Sequence, residues 1–288
     1  MSDKVSIRFF DDREVRAVWD EENSKWWFSV VDIVSVITNS PRPRVYWGTL
    51  KSRLKTKNNQ LYSNCIQLKL ESADGKKYAT DCFSQDDIIE VVKNIPSKKS
   101  MKFLDWFTYS DNTIDGKSKK KAYTLFESNL IDDIEIGTIQ GLQQIHAYLF
   151  GGLYDFAGKI RQKNISKGGF QFAMAQYLEN TLQEVGLMPE NSFEEIADKY
   201  IEMNIAHPFM EGNGRSTRVW LDLMLKKSIS KCVDWSQISK NDYMNAMIES
   251  PKGSVQIIEL LKNALTDEIH SREMFMKGID YSYYYEEE

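Results

Sequence analysis

The stretch HPFMEGNGRSTR, residues 207–218, gathers the residue types that handle a phosphoryl group. A helix beginning near Arg215 would expose its first backbone N–H groups. The Gly212-Asn213-Gly214 run just before it lets the main chain come close to a ligand, and together these make an anion nest. Asn213 tolerates a left-handed backbone and has a side-chain amide to donate. Arg215 and Arg218, three residues apart, share a helix face and can fork onto a di- or triphosphate. Glu211 then suits a magnesium ion bridging those phosphates, because magnesium takes one or two carboxylates plus phosphate oxygens. His207, held extended by the following Pro208, titrates near neutrality and can accept a proton from an attacking hydroxyl. Each piece alone has an ordinary structural reading as a core histidine, a turn or a solvated arginine pair. Their order in one loop points to nucleotide chemistry.

Several elements must hold that loop. Before it, FEEIADKYIEMNIA places Phe193, Ile196, Ala197, Tyr200, Ile201 and Asn204 on one helical stripe, with Ser192 and Glu195 as a capping box. After it, TRVWLDLMLKK is apolar nearly all round and predicts a central, buried helix. In IRQKNISKGGFQFAMA, Gly168-Gly169 separates two short extended runs, a small hairpin among helices. Its edge, with Ile165, Lys167, Gly168, Gly169, Phe170 and Phe172, could add a strand from an extended target segment, although a purely structural hairpin fits the same residues.

Toward the N-terminus the periodicity changes. VSIRFF, EVRAVW and KWWFSV alternate as strands, VVDIVSVI turns helical, and CIQLKLESADGKKYATDCF reads as a hairpin around Asp74-Gly75. Ser84 and Asp87 cap a further helix running to about Lys93, and SKKSMKFLDWF is one more. SDNTIDGKSKKK has no apolar periodicity and reads as a linker. The expected organisation is a domain over residues 1–110, a linker over 111–121 and a mainly helical domain over 122–288. The 288 residues are 42% apolar, enough for two cores.

Charge divides along the same line: 18 Lys and Arg face 15 Asp and Glu in residues 1–108, against 19 and 27 beyond, so +3 is followed by −8. Only the first part has an electrostatic reason to approach nucleic acid. Its segment PRPRVYWGTLKSRLKTK contains no acid, and Arg42, Arg44, Lys51, Arg53 and Lys55 could follow a phosphate backbone. A solvated amphipathic helix with core aromatics explains it equally. No apolar run is long enough to cross a bilayer and no secretion signal opens the chain, so a cytoplasmic protein without a membrane partner is expected. Cys65, Cys82 and Cys232 show no metal or disulfide spacing.

The loop resembles, position for position, the Fic family signature HPFx(D/E)GNGRxxR, and the likeness extends through YTLFESNLI, GTIQGLQQIHAYLFGGLYDFAGKIR and NISKGGFQFA. It implies an all-α Fic bundle with the hairpin as a flap, following an α+β N-terminal domain built as a small antiparallel sheet with helices. It also implies transfer of AMP from ATP, with Mg2+, to a Ser, Thr or Tyr hydroxyl of a target protein. His207 would be the general base, Glu211 the metal ligand, Gly212, Asn213 and Gly214 phosphate anchors, and Arg215 and Arg218 clamps on the outer phosphates. A member that moves phosphate instead has lysine at the position of Gly214; glycine leaves it open and favours AMP transfer. Some bacterial toxins of this resemblance modify type II topoisomerases, and the family often forms homo-oligomers.

The tail REMFMKGIDYSYYYEEE reads as a helix with Phe275, Ile279, Ser282 and Glu286 on one stripe, on composition alone a docking helix. Its SYYYEE resembles the inhibitory pattern (S/T)xxxE(G/N) of one Fic class at Ser282 and Glu286, over about residues 270–288, and departs at Glu287. The resemblance implies that Glu286 pairs with Arg218 in place of the γ-phosphate. Tyr283, Tyr284 and Tyr285 are close enough to become targets of the enzyme itself. Residues 5–108 resemble a Bro-N domain, a module of antirepressor-like proteins thought to bind DNA. Two other readings use the same residues: a DNA-binding antirepressor-like protein with a regulatory Fic module, and an enzyme that removes AMP.

Overall fold

The computed structural model describes residues 4–286 apart from 21, 24, 58, 73–74, 110–111 and 129. The chain forms two compact units, Met1–Thr113 and Ile114–Glu288. In the first, the alternating segments become β1 (Lys4–Phe10), β2 (Arg13–Asp20) and β3 (Lys25–Ser29), followed by α1 (Val30–Thr38), α2 (Pro43–Lys57), α3 (Asn59–Ser63), β4 (Ile66–Glu71), β5 (Lys77–Ser84), α4 (Gln85–Lys93) and α5 (Lys99–Tyr109). The five strands pair antiparallel in the order β1-β2-β3-β5-β4. One face carries the core, with Phe28 and Phe83 packed against Ile33, Val34, Val91, Phe103 and Phe107. Side chains on a strand alternate between faces, and the intervening positions Val18, Trp27, Leu70 and Cys82 form a second, smaller buried cluster. Ser84 caps α4 by accepting from the Asp87 backbone N–H. Asp74 of the expected β4–β5 turn lies outside the described residues, while Gly75 has φ 72°.

The second unit contains α6 (Ile114–Glu127), α7 (Ile139–Phe150), β6 (Ser166–Lys167), β7 (Phe170–Gln171), α8 (Ala175–Leu187), α9 (Phe193–Ala206), α10 (Asn213–Ile229), β8 (Cys232–Val233), α11 (Lys240–Glu249), α12 (Val255–Asn263), β9 (Leu265–Thr266) and α13 (Arg272–Tyr284). α9 opens on the expected capping box. α10 is buried over most of its circumference, with Trp220, Leu221, Met224 and Leu225 inaccessible, and it packs on both α7 and α9. The Gly168-Gly169 turn joins β6 to β7 with both glycines at positive φ. A two-stranded β8–β9 pair, not expected from the sequence, closes the far end of α10.

One boundary differs. Most of the segment read as a linker is helical: α6 starts at Ile114 and buries Ser118, Ala122 and Leu125. Those positions lie at i, i+4 and i+7 and share a face, but two of the three are small, so the stripe carries no apolar signal. Among the described residues no helix is long and apolar enough to cross a membrane.

Candidate active site

Residues 207–212 join α9 to α10, and both ends of this loop take left-handed backbone. His207 is the C-cap of α9 at φ 51°, ψ 66°, not extended as Pro208 alone would suggest. Its N–H donates to the Met203 carbonyl as a helix C-cap does. Gly212 is the N-cap of α10 at φ 80°, and a Cβ there would run into the Phe150 ring, so this position needs glycine on two counts. Asn213 tightens the turn. Its Oδ1 accepts from the Phe209 N–H and its Nδ2 donates to the Phe209 carbonyl, both at 2.8 Å. One donor hydrogen and the oxygen of this buried amide are engaged inside the loop, and the residue also lines the cleft.

A hydrogen bond from the ring, a ring stack and the Arg161 guanidinium hold His207 in place. His207 Nδ1 lies 3.2 Å from the Asn204 carbonyl. A carbonyl only accepts, so Nδ1 carries the proton and Nε2 keeps its lone pair. The ring stacks on Phe172 with centroids 3.8 Å apart, so a residue next to the hairpin walls the imidazole. Burial lowers the His207 pKa to about 4, against a smaller upward pull from the Asn204 carbonyl and Glu286. At neutral pH the imidazole is uncharged and able to accept a proton. Arg161, which sequence reasoning missed, is 3% exposed. It donates to the carbonyls of His207, Lys163, Ala173 and Ala206, tying the loop to the base of the hairpin.

A cleft of about 340 Å³ lies beside the loop, lined by His207, Glu211, Gly212, Gly214, Arg218 and Glu286, with Lys167 and Phe170 of the hairpin at one side and Met244 and Met247 of α11 at another. Carboxylates already sit where an anion would be held. Glu211 Oε1 accepts from its neighbour's N–H, Gly212, at 2.9 Å and from Arg215 Nη2 at 2.7 Å. Glu286 Oε1 accepts from Arg218 Nη2 at 2.6 Å, and a Cβ added at Gly214 would collide with that same oxygen. The space at Gly214 expected to be open is therefore filled by Glu286. Glu211 remains about half-exposed, and among the described residues no three His, Cys, Asp or Glu side chains cluster as metal ligands. One carboxylate beside an anion cradle fits magnesium, which takes most of its ligands from phosphates and water.

The two guanidinium groups take different partners. Arg218 is wholly enclosed: Nε donates to Ser282 Oγ at 2.8 Å, Nη2 to the Ser282 carbonyl at 2.6 Å and Nη1 to the Tyr243 hydroxyl at 3.2 Å. Burial opposes its charge, and the Glu286 carboxylate beside it counters this. Arg215 turns toward Asp115 of α6 and stacks between Phe150 and Tyr283; its buried Nε has no hydrogen-bond partner among the described residues. Consecutive tail residues, Ser282 and Tyr283, thus engage the two arginines separately.

The tail is anchored by more than Glu286. Tyr285 donates to the carbonyls of Trp235 and Ile238 and stacks on Tyr243. Asp280, fully buried, pairs with Lys119 Nζ at 2.6 Å and accepts from the Tyr123 hydroxyl, both on α6. Phe275 stacks on Phe126, and Arg272 pairs with Glu127. Of the three tyrosines expected as automodification targets, Tyr283 and Tyr285 are buried in this arrangement and Tyr284 is half-buried beside Lys240.

In the first unit, Arg42, Arg44, Arg53 and Lys55 are exposed on or beside α2. Lys51 is the exception, drawn onto Asp81 at 2.6 Å, which also accepts from Trp47 Nε1.

Residues 137–225 match the model of the Fic/DOC family and residues 14–114 that of the BRO family N-terminal domain. The chain is 30% identical over 140 residues to the protein adenylyltransferase VbhT of Bartonella schoenbuchensis, covering 44% of this chain and 29% of that one. It is 27% identical over 150 residues to the probable protein adenylyltransferase Fic of Escherichia coli, covering 47% and 74%. Among solved structures, BepC of Bartonella tribocorum with bound AMPPNP is similar at 20% identity and a TM-score of 0.46, over 53% of this chain and 84% of that one.

Proposed function

With a Fic/DOC-family domain at residues 137–225 behind a BRO-type N-terminal domain at 14–114, we propose that this chain is a nucleotidyltransferase that moves AMP from ATP to a protein hydroxyl and is restrained by its own tail. The observation that carries the reading is the pair of carboxylates, Glu211 and Glu286, seated on the Gly212 N–H and on Arg218, where phosphate oxygens would find the same donors.

In this reading His207 Nε2 takes the proton of an incoming Ser, Thr or Tyr hydroxyl, whose oxygen bonds to the α-phosphorus as the bond to pyrophosphate breaks. The Gly212 N–H and the first turn of α10 hold phosphate oxygens, and Arg218 offers a fork to the outermost ones. Magnesium, bound through Glu211, would neutralise charge on the leaving pyrophosphate. Lys167 and Phe170 present the target segment along the hairpin edge. Glu286 competes with the outer phosphate for Arg218, so nucleotide binds productively only when the tail yields.

The test is a Glu286→Gly variant incubated with cell lysate and ATP labelled at either the α or the γ phosphate. Label from the α position on a discrete protein, lost in His207→Ala, is expected. Label from the γ position alone, or none from either, overturns the reading. For the first unit, the exposed Arg42, Arg44, Arg53 and Lys55 favour tracking of a DNA backbone, which salt titration of binding examines.

A further inference from the structure

His146 on α7 lies outside the signature loop, yet it is completely buried and bonded to the nest. Its Nδ1 is 2.8 Å from the Gly158 backbone nitrogen and its Nε2 is 2.9 Å from the Glu211 carbonyl. An amide N–H can only donate and a carbonyl can only accept, so both bonds form together in one state alone, with the lone pair on Nδ1 and the proton on Nε2. The opposite tautomer would set donor against donor at Gly158 and lone pair against lone pair at Glu211. His207 is arranged the other way, with its Nδ1 proton on the Asn204 carbonyl.

The carbonyl that His146 holds belongs to the peptide between Glu211 and Gly212. In a planar trans peptide the C=O and N–H point in opposite directions, so drawing the carbonyl toward α7 turns the Gly212 N–H away from it, where it meets the Glu211 carboxylate. Resting on the nucleotide-binding reading above, we propose that His146 is a positioning residue: through its Nε2–H it sets the rotation of the Glu211–Gly212 peptide and so aims the nest's first N–H at the ligand. The ring also stacks on Phe209 at 3.8 Å, so a packing role and an orienting role have to be separated.

Three substitutions separate them in the full chain carrying Glu286→Gly. His146→Phe keeps a ring and loses both bonds. His146→Asn retains an acceptor at the Nδ1 position but cannot reach Glu211. His146→Gln places an amide donor where Nε2 stands. Mg-ATP affinity is measured by calorimetry at a temperature where every variant is folded, and the Gly212 backbone amide resonance is followed without nucleotide. The expected result is a loss of tenfold or more for Phe and Asn, a change within about threefold for Gln, and a Gly212 amide displaced in the first two variants only. Equal weakening by Gln and Phe, or affinity unchanged in all three, overturns the proposal. If the Glu286→Gly parent binds no Mg-ATP, the nucleotide reading fails, and the Gly212 amide still decides the orienting role: an amide unmoved by Asn and Phe overturns it.

Discussion

Arg44 and Arg53 on α2 are exposed, Arg44 lying over the Tyr78 ring, whereas Arg215 and Arg218 on α10 have only 3% and 2% of their side chains exposed and each touches a carboxylate. The same side chain is used in two regimes. On α2 it contributes to a diffuse field that salt screens, and one residue more or less changes little. On α10 it is desolvated, so every partner matters: Arg215 shares its charge between Asp115 and Glu211, and removing Glu286 takes from Arg218 the carboxylate it pairs with. A reader of sequence sees four arginines; burial decides which of them belong to a site.

The contrast can be broken most decisively at the loop. His207→Ala in a Glu286→Gly background is expected to lower AMP transfer by ~10²–10⁴, the usual contribution of a positioned general base, measured as labelled AMP on the target. Glu286→Gly itself is expected to raise transfer by ~10–100-fold, from ~1.5–3 kcal/mol for a hydrogen bond to a charged group; unchanged rates would put Arg218 in the same regime as the α2 arginines. Asp280→Asn, which leaves Lys119 without its buried counter-ion, should loosen α13 and give a smaller activation, read by the same assay and by faster amide exchange in the tail.

Acidity sharpens the comparison. Because burial lowers the His207 pKa to about 4, its neutral, proton-accepting form is fully present above pH 5 and is lost as pH falls through 4. The rate should show no limb near the ordinary histidine pKa of ~6.5, and a limb there would mean that the imidazole is solvated. The smallest effects belong to α2. Each of Arg44→Ala, Arg53→Ala and Lys55→Ala should weaken DNA binding modestly and reduce the salt slope by ~1; a single substitution that abolishes binding would move that residue into the α10 class.

The signature loop, the helices on either side of it and the strands of the first unit were legible because each follows a strong local rule: a fixed motif, a 3.6-residue stripe or strict alternation. Among the features that were not, three stand out. α6 buries Ser118 and Ala122 and speaks to its neighbours through Asp115, Lys119 and Tyr123, so its polar composition reads as a linker although it is a docking face. Arg161 serves four carbonyls, and nothing local distinguishes it from a surface arginine. The backbone at His207 was misread because the proline after it favours extension, while the end of a packed helix favours the left-handed turn that is observed. In each case tertiary contacts outweighed the local preference.

The bond from Gly212 N–H to the carboxylate beside it has a consequence for turnover. A loop that brings its own counter-ion exchanges one negative group for another when nucleotide arrives, so binding involves little net gain of charge contacts. In the proposed reaction the same exchange would run backwards as the metal-bound pyrophosphate departs and Glu211 returns to the Gly212 N–H, so the pocket should discharge its product readily.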